Sequence, residues 1–382
     1  MIRYRGLTWD HPRGVNALRA AARELERSRS GITIEWETQP LEGFESRRLQ
    51  NLCDQYDLVV LDHPHVGEVA SKACLVPLED LFAADQLASW SRETVGSCMA
   101  SYRYGGRHWA LPLDAAAQVL ALRPDLSEER PETWHDIVTM SSRVPVALSI
   151  AGPHAILTFF SLAAAIGERP AEANAEVLVS PATGEQALDV MATVFGRMPA
   201  PARSLNPIGL LDAMAAGDEF AVCPLVFGYV NYAAPPLPGR HPIAYHDAPR
   251  MRPETGPGST LGGTGIGVSR RCHVTPALLG HLAWLLSAEA QTDFIPRHDG
   301  QPSRRRAWRD RGVNALAGSF YENTLETIES AYVRPRYDGY IAFQTDASDI
   351  VRRGLDERSP HRVVLERLQT RYARSRPVAA ER

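Results

Sequence analysis

The residues best suited to chemistry in this 382-residue chain begin at its ninth position, in the segment TWDHPRG. Trp9, Asp10, His11 and Arg13 are crowded there just before a stretch with helical spacing that begins near Gly14. Arg13 could grip a carboxylate with two parallel hydrogen bonds, and Trp9 could offer a flat face to a sugar ring or an apolar ligand body. The free N–H groups of the helix start would favour an anionic or strongly polar ligand group. The alternative is that Asp10 only caps the helix and Trp9 only packs in the core.

A second polar segment, LDHPH, contains Asp62, His63 and His65. It follows the apolar run YDLVVLD, which is typical of a strand buried on both faces of a parallel sheet. These side chains could hydrogen-bond a ligand or form a solvated turn. His-x-His is also a spacing at which two imidazoles bind one metal ion, so a metal-dependent hydrolase is an open alternative. That chemistry needs further ligands and usually a lysine, and the lone lysine, Lys72, lies only seven residues after His65. We therefore expect no metal.

Three later segments add candidates. Asp114 ends the segment GRHWALPLD and could bind a ligand hydroxyl or hold the backbone of a crossing between domains. His154, in SIAGPHAI, follows a short apolar run and is either a ligand group or a turn residue. Phe227, Gly228 and Tyr229 come at the end of the apolar run in CPLVFGYVNY, where the two aromatic rings could stack on a ligand or pack in the core.

The composition limits the class of protein. Hydrophobic residues make up 44% and charged residues 23%, which indicates a soluble globular chain with two or three core-forming units. The formal net charge of -4 argues against nucleic-acid binding, despite the basic run SRRRAWRDR. Five scattered cysteines without a C-x-x-C pair indicate neither a zinc knuckle nor a dense disulfide scaffold. The first residues have no apolar segment of a secretory signal, so the sequence as written predicts a cytoplasmic protein.

The order of elements indicates an α/β fold. A short strand, a helix with apolar residues at helical spacing, the alternating strand ITIEWE and the buried run YDLVVLD follow one another. Thr133, Ser180 and Thr275 stand where helix N-caps are expected. The Pro- and Gly-rich stretch 233–258 predicts a long irregular connection. The glycines of LGGTGIG alternate and precede a strand, so they do not form a dinucleotide-binding loop and no cofactor is expected.

Five segments, in this order, resemble extracellular solute-binding proteins, the binding components of ABC importers of the sugar-binding type. The segments are YDLVVLDHPHVGEVASKACLVPLEDL, YRYGGRHWALPLDAAAQVLALRPDL, RPETWHDI, LGGTGIGVSRRCHVTPALLGHLAWLLSAEAQ and GQPSRRRAW. Each is weak alone, but together they span residues 3–345 in the order of the family. The resemblance implies a two-lobed α/β fold of the periplasmic-binding-protein type, in which each lobe is a mixed or parallel sheet flanked by helices.

The resemblance also implies how the chain is divided. Lobe one would comprise residues 1–111 and 262–308, and lobe two residues 115–258 and 312–382. The crossings would lie near 112–114, 259–261 and 309–311. The ligand would bind in a cleft between the lobes, at loops that follow the carboxyl ends of strands. TWDHPRG is such a loop, which explains why polar residues appear so early in the chain.

The function implied is non-catalytic binding of a small polar solute, either a sugar or a carboxylate-bearing molecule, for an ABC importer. The ligand-binding residues we expect are Trp9, Asp10, His11, Arg13, Asp62, His63, His65, Asp114, His154, Phe227, Gly228 and Tyr229, with Gly262, Gly263 and Thr264 added by the resemblance. Partners would be the ligand and transporter permease subunits, and the protein would act as a monomer. The resemblance implies a periplasmic or extracellular location, whereas the start of the sequence leaves open a cytoplasmic sensor or carrier of the same fold.

Overall fold

The computed structural model describes residues 1–233 and 239–376. The chain divides into two compact units. Unit 1 comprises residues 1–115, 262–314 and 336–341, and unit 2 comprises residues 116–261, 315–335 and 342–382 as far as they are described. The segment 336–341, which the sequence-based ranges place in lobe two, therefore lies in unit 1.

The strands and helices alternate along the chain as in an α/β protein. The strands are β1 (Ile2–Trp9), β2 (Ile32–Gln39), β3 (Leu58–Leu61), β4 (Arg103–Tyr104), β5 (Arg107–His108), β6 (Leu111–Leu122), β7 (Val222–Phe227), β8 (Ala244–His246) and β9 (Leu261–Val268). The helices are α1 (Pro12–Arg27), α2 (Leu41–Ser46), α3 (Leu49–Cys53), α4 (Val66–Lys72), α5 (Ala84–Glu93), α6 (Cys98–Ser101), α7 (Trp134–Met140), α8 (His154–Ile166), α9 (Pro181–Phe195), α10 (Pro207–Ala216), α11 (Pro276–Leu285), α12 (Ile295–Arg297), α13 (Arg305–Trp308), α14 (Arg311–Leu316), α15 (Phe320–Asn323), α16 (Leu325–Ser330), α17 (Tyr340–Asp356) and α18 (His361–Ser375).

The sheet of unit 1 has helices on both faces. β1 pairs in parallel with β2 and with β3, and β3 pairs antiparallel with β9. Successive residues of β3 point to opposite faces: Leu58 and Val60 belong to one apolar cluster, and Val59 and Leu61 belong to another. The prediction of a strand buried on both faces is therefore confirmed, because all four side chains are at most 1% exposed.

Unit 2 has a mixed sheet. The part of β6 that lies in this unit pairs antiparallel with β7 and with β8, and Val146 forms a parallel bridge with Val222 of β7. The apolar helix α8 is almost wholly buried, which fits its uniformly apolar sequence HAILTFFSLAAAI. The predicted fold class, α/β with mixed sheets flanked by helices, is confirmed.

Several local predictions are also confirmed or corrected. Thr133, Ser180 and Thr275 are N-caps, and Thr133 forms a full capping box with Asp136. The stretch 233–258 is not wholly irregular, because it contains β8; residues 234–238 of that stretch lie outside the described part of the chain. In the described residues, every helix is too short or too polar to cross a membrane.

Candidate functional site

Three polar segments of unit 1 meet at one edge of its sheet. β1 and β3 are parallel neighbours, so the residues that follow their carboxyl ends, Asp10 and Asp62, come out at the same edge. β9 runs antiparallel to β3 with Leu61 opposite Gly265, so the segment 262–264 at the start of β9 lies at that edge as well. The pairing of strands therefore brings together residues that are about 250 positions apart in sequence. We call the segments 10–13, 62–65 and 262–264 the polar edge of unit 1.

The first segment of the polar edge begins α1 earlier than expected. α1 starts at Pro12, and its N-cap is His11, whose Nδ1 accepts a hydrogen bond of 3.1 Å from the backbone N–H of Arg13. Arg13 is thus inside the first turn, not before the helix. Asp10 is not the cap and is exposed to solvent. The Nδ1 atom of His11 takes the accepting role that an Asp or Ser side chain more often fills.

Arg13 is held by a buried ion pair with Asp114. The Arg13 Nε donates to Asp114 Oδ2 at 2.7 Å, its Nη2 donates to Oδ1 at 2.5 Å, and both side chains are at most 5% exposed. Burial raises the pKa of the Asp114 carboxyl above its ordinary value, while Arg13 and the backbone N–H of Thr264 hold that rise back. The bidentate face of Arg13 that we expected to bind a ligand carboxylate is therefore occupied by Asp114.

Trp9 is a core residue. It is 3% exposed, its ring centroid lies 5.3 Å from that of Phe44, and Gly14 packs so closely that a Cβ there would lie 2.4 Å from the Trp9 ring. The expectation that Trp9 offers a free ring face to a sugar is corrected by this packing, because the ring is buried in the apolar cluster of α1.

A small cavity lies behind the polar edge. Trp9, Arg13, Asp114, Thr264 and Gln301 contribute to its lining, and its volume of about 10 Å³ is room for roughly one water molecule. Trp9 Nε1 and Thr264 Oγ1 are buried without a hydrogen-bond partner among the described residues. The side-chain Nε2 of Gln301 donates to the carbonyl oxygen of Ala115 at 2.7 Å. No local pattern predicts this role for Gln301, because the residues it contacts are distant in the chain.

The second segment of the polar edge forms a short 3₁₀ turn. Asp62 caps this turn by accepting the N–H of His63 at 2.8 Å, and its carboxylate lies 3.1 Å from His63 Nδ1. His63 and His65 are buried, and Asp62 is partly exposed with 18% of its side chain accessible. Across residues 1–233 and 239–376, no three His, Cys, Asp or Glu side chains are grouped so that they could hold a metal ion.

The third segment of the polar edge supplies backbone groups. Gly262 and Gly263 are partly exposed, and Gly263 has φ +90°, a conformation that favours glycine. Thr264 is 4% exposed and points into the interior. The groups of the polar edge that a solute can reach are thus the two carboxylates, Asp10 and Asp62, and the backbone of the two glycines.

The remaining predicted residues lie in unit 2. Phe227 ends β7 and is partly exposed, and its ring lies 5.9 Å from the ring of His154, the buried first residue of α8. Gly228 is packed so tightly that a Cβ would lie 2.8 Å from Phe320, and Tyr229 is 5% exposed. Of these four residues, Phe227 is the one with the surface to touch a solute.

Comparisons with known proteins agree on the fold. No protein-family model and no curated protein matches the sequence. Among solved structures, the chain has the fold of ABC transporter solute-binding proteins, which is the class that the sequence resembles. One such structure is the solute-binding protein of Agrobacterium radiobacter K84 in complex with ribitol, with a TM-score of 0.80, 19% identity and 98% of both chains covered.

Two further structures show the same likeness. Maltose-bound MalE3 of T. maritima has a TM-score of 0.79 and 16% identity, covering 97% of this chain and 99% of its own. A solute-binding protein of Thermotoga lettingae TMO, bound with alpha-D-tagatose, has a TM-score of 0.80 and 15% identity, covering 98% of this chain and 99% of its own. The resemblance predicted from the sequence is confirmed at the level of the fold.

Proposed function

We propose that this protein binds a neutral sugar or polyol without catalysis, as the solute-binding component of an ABC importer. The observation that carries the proposal is the match of nearly the whole chain to solved solute-binding proteins, of which those cited hold ribitol, maltose or tagatose. The site residues that we propose in unit 1 are those of the polar edge. The cleft between the lobes and the full set of ligand-binding residues stay predictions from the sequence.

The charges of the polar edge support a neutral ligand over an anionic one. The solvent-accessible side chains of the polar edge that carry charge, Asp10 and Asp62, are both carboxylates. The Nε and Nη2 of Arg13 already donate to Asp114. A carboxylate ligand would meet like charges there, whereas a hydroxyl can donate to either aspartate. The glycine backbone at residues 262–263 can approach a sugar closely. Between the two solute classes left open by the sequence, this arrangement favours the sugar or polyol.

The proposal extends to partners and location. An importer component would deliver its solute to permease subunits, would work as a monomer, and would act in the periplasm or outside the cell. A sensor or carrier of the same fold inside the cell would use the same ligand site, so ligand binding alone does not distinguish the two. The hydrolase alternative has less support, because His63 and His65 are joined by no third ligand in the described part of the chain.

Native mass spectrometry of the gently purified protein tests the proposal. We expect one neutral organic molecule per chain, released by denaturation and identified as a sugar or polyol by its mass and fragmentation. Zinc or iron bound one to one, and lost in the His63→Ala variant, would instead support the hydrolase. A bound organic acid would overturn the choice of ligand class while leaving a binding function in place.

A further inference from the structure

The last two helices of unit 2 pack against each other as an antiparallel pair. The ring centroids of Phe343 in α17 and Tyr372 in α18 lie 5.4 Å apart near one end of the pair. Toward the other end, a Cβ at Gly354 of α17 would lie 2.6 Å from the side chain of Val364 in α18. Residue numbers thus rise along α17 while they fall along the part of α18 beside it. This packing determines which side chains of the two helices share a surface.

A groove with a volume of about 430 Å³ lies between these two helices. Ile350 of α17 contributes to its lining, and α18 contributes Val363, Thr370 and three arginines, Arg367, Arg371 and Arg374. Positions 363, 367, 370 and 374 follow one another at steps of four, three and four residues, so they share one face of α18. At a rise of about 1.5 Å per residue, that face extends for about 16 Å along the helix. The groove therefore combines apolar side chains with a row of guanidinium groups.

Two of the four arginines of α18 have a carboxylate partner. The Nε of Arg362 lies 3.0 Å from the Oε1 of Glu366, a residue that also lines the groove. The Nε of Arg371 donates to the Oδ2 of Asp346 in α17 at 2.6 Å. Both acidic side chains are therefore already engaged within the protein.

The other two arginines of α18, Arg367 and Arg374, carry charges that the described residues do not neutralise. Both are exposed, and across residues 1–233 and 239–376 no carboxylate lies within ion-pair distance of either guanidinium. The negative end of the helix dipole can stabilise Arg374, which is in the last turn, but not Arg367, which is near the middle. Arg367 and Arg371 are also four residues apart, a spacing at which like charges destabilise a helix. An anionic partner therefore explains this row better than the stability of α18 does.

We propose that the groove binds an acidic amphipathic helix of a partner protein. Arginine pairs with a carboxylate through two parallel hydrogen bonds. Arg367 and Arg374 are seven residues apart, about 10 Å along the helix, and two carboxylates seven residues apart on a partner helix have the same spacing. A single small anion cannot reach both. The inference does not depend on the proposed function.

The apolar part of the groove favours a protein partner over a nucleic acid. Ile350 and Val363 are partly buried and can receive an apolar side chain from the acidic face of the partner helix. Phosphates could pair with the arginines, but they would leave these two side chains without an apolar contact. The formal net charge of -4 also opposes the approach of a polyanion.

Fluorescence anisotropy with the full-length protein tests the proposal. The probe is a labelled synthetic peptide of about 15 residues, long enough to be partly helical, with glutamates at positions i, i+4 and i+7 and a leucine at i+3. The control peptide has the same composition, but its glutamates are spread around the helix. We expect the probe to bind at least about tenfold more tightly than the control peptide, and to bind more weakly as the salt concentration rises.

Matched variants test whether binding takes place in the groove. In the double variant Arg367→Ala/Arg374→Ala, we expect the affinity for the probe to fall by about tenfold or more. The control is Arg19→Ala/Arg23→Ala, which removes the same charge from two exposed arginines of α1 in unit 1. That control should leave the affinity within about twofold of the original value. Melting curves show that each variant is folded.

Three results would overturn the proposal: no binding of the probe, equal affinities for the probe and the control peptide, or equal losses of affinity in the two double variants. Tighter binding of a single-stranded DNA than of the probe would also overturn it, because the groove would then be a nucleic-acid site.

Discussion

Arg13 looks like a ligand-binding residue in the sequence, but in the structure its guanidinium pairs with Asp114. The two are 101 positions apart, and the bidentate pair between them is almost wholly buried. A buried ion pair contributes little net stability compared with an apolar pair of the same volume, but either charge left alone in the interior is costly. The pair therefore orders the start of α1 behind the polar edge.

Removing one charge of this pair should be worse than removing both. Arg13→Met leaves the Asp114 carboxyl without its partner and should lower the free energy of unfolding by about 3–5 kcal/mol. Asp114→Leu leaves the Arg13 guanidinium without its partner and should lower it by a similar amount. The double variant should lose less free energy of unfolding than either single variant. Urea denaturation of the three proteins measures this, and a double variant that loses the sum of the two singles would show that the residues act independently.

His281 predicts a dependence of stability on pH. It is 7% exposed in α11, its Nε2 has no hydrogen-bond partner among the described residues, and its ring stacks on Trp284 with 6.0 Å between centroids. Burial lowers the pKa of His281 from 6.5 to about 4. Between pH 6.5 and about 4 the imidazole of His281 binds a proton in the unfolded chain but not in the folded chain. Stability therefore falls as the pH falls through this range and then levels off.

Replacing His281 should flatten this part of the pH profile. His281 accounts for a loss of up to about 3 kcal/mol in the free energy of unfolding between pH 6.5 and about 4. In the His281→Leu variant this loss should be absent. His273→Leu is the control, because His273 is exposed. The free energy of unfolding is measured from pH 7 to about pH 4 for the three proteins. An unchanged slope in His281→Leu would mean that the imidazole can be protonated in the folded chain.

At the residue scale, the sequence predicts where the candidate loops lie better than it predicts what each side chain contacts. It predicts that residues 9–13 and 62–65 belong to functional loops, and strand pairing brings these segments to one edge. It does not predict that Trp9 packs on Gly14, or that Asp114 occupies Arg13, because these contacts depend on distances set by tertiary packing. The polar residues Asp10, His11 and Arg13 in one short segment indicate a candidate site without showing which of them face solvent.

At the scale of elements, α4 depends on a glycine. A Cβ at Gly67 would lie 1.8 Å from the carbonyl oxygen of Arg336 and 2.5 Å from the carbonyl carbon of Tyr337. Arg336 is itself anchored, because its Nη1 donates to the backbone carbonyls of Ala100, Ser101 and Arg103, each at 2.9 Å. The segment 336–341 is thus fixed against α4 and has little freedom to move away.

Gly67→Ala should therefore destabilise unit 1. The backbone must shift to admit the methyl group, and we expect a loss of about 2 kcal/mol or more in the free energy of unfolding. Gly280→Ala is the matched control, because Gly280 lies inside α11 with open space where its Cβ would be. That variant should gain up to about 1 kcal/mol from helix propensity. Equal effects of the two substitutions would contradict the role assigned to segment 336–341.

Elements with a clear period were predictable, and elements set by tertiary contacts were not. The apolar run of β3 and the N-caps Thr133, Ser180 and Thr275 carry their own local signals. β8 carries none, because its three residues lie within a Pro- and Gly-rich stretch and are a strand only through pairing with β6. The start of α1 was misplaced because His11 caps it in place of the usual Asp or Ser.

At the scale of the whole molecule, the order of five weak motifs was more informative than any one of them. Their order predicted a fold that solved structures match over nearly the full chain at 19% identity or less. A fold retained at such low identity does not determine which solute is bound. The charges of the polar edge are therefore the basis for the proposed ligand class. Asp10 is central to that argument, because it is the exposed carboxylate that follows β1.

We expect a neutral sugar or polyol to bind, and isothermal titration calorimetry measures that binding. Ligand-free protein is titrated with ribitol, D-mannitol, D-tagatose and maltose, and with small carboxylic acids. We predict one site per chain for at least one neutral compound, at micromolar affinity, which corresponds to about 8 kcal/mol. Asp10→Asn should weaken that binding at least tenfold, whereas Asp54→Asn, at the other end of the sheet, should not. Binding of a carboxylic acid alone, or equal affinities in the two variants, would contradict the proposed ligand class.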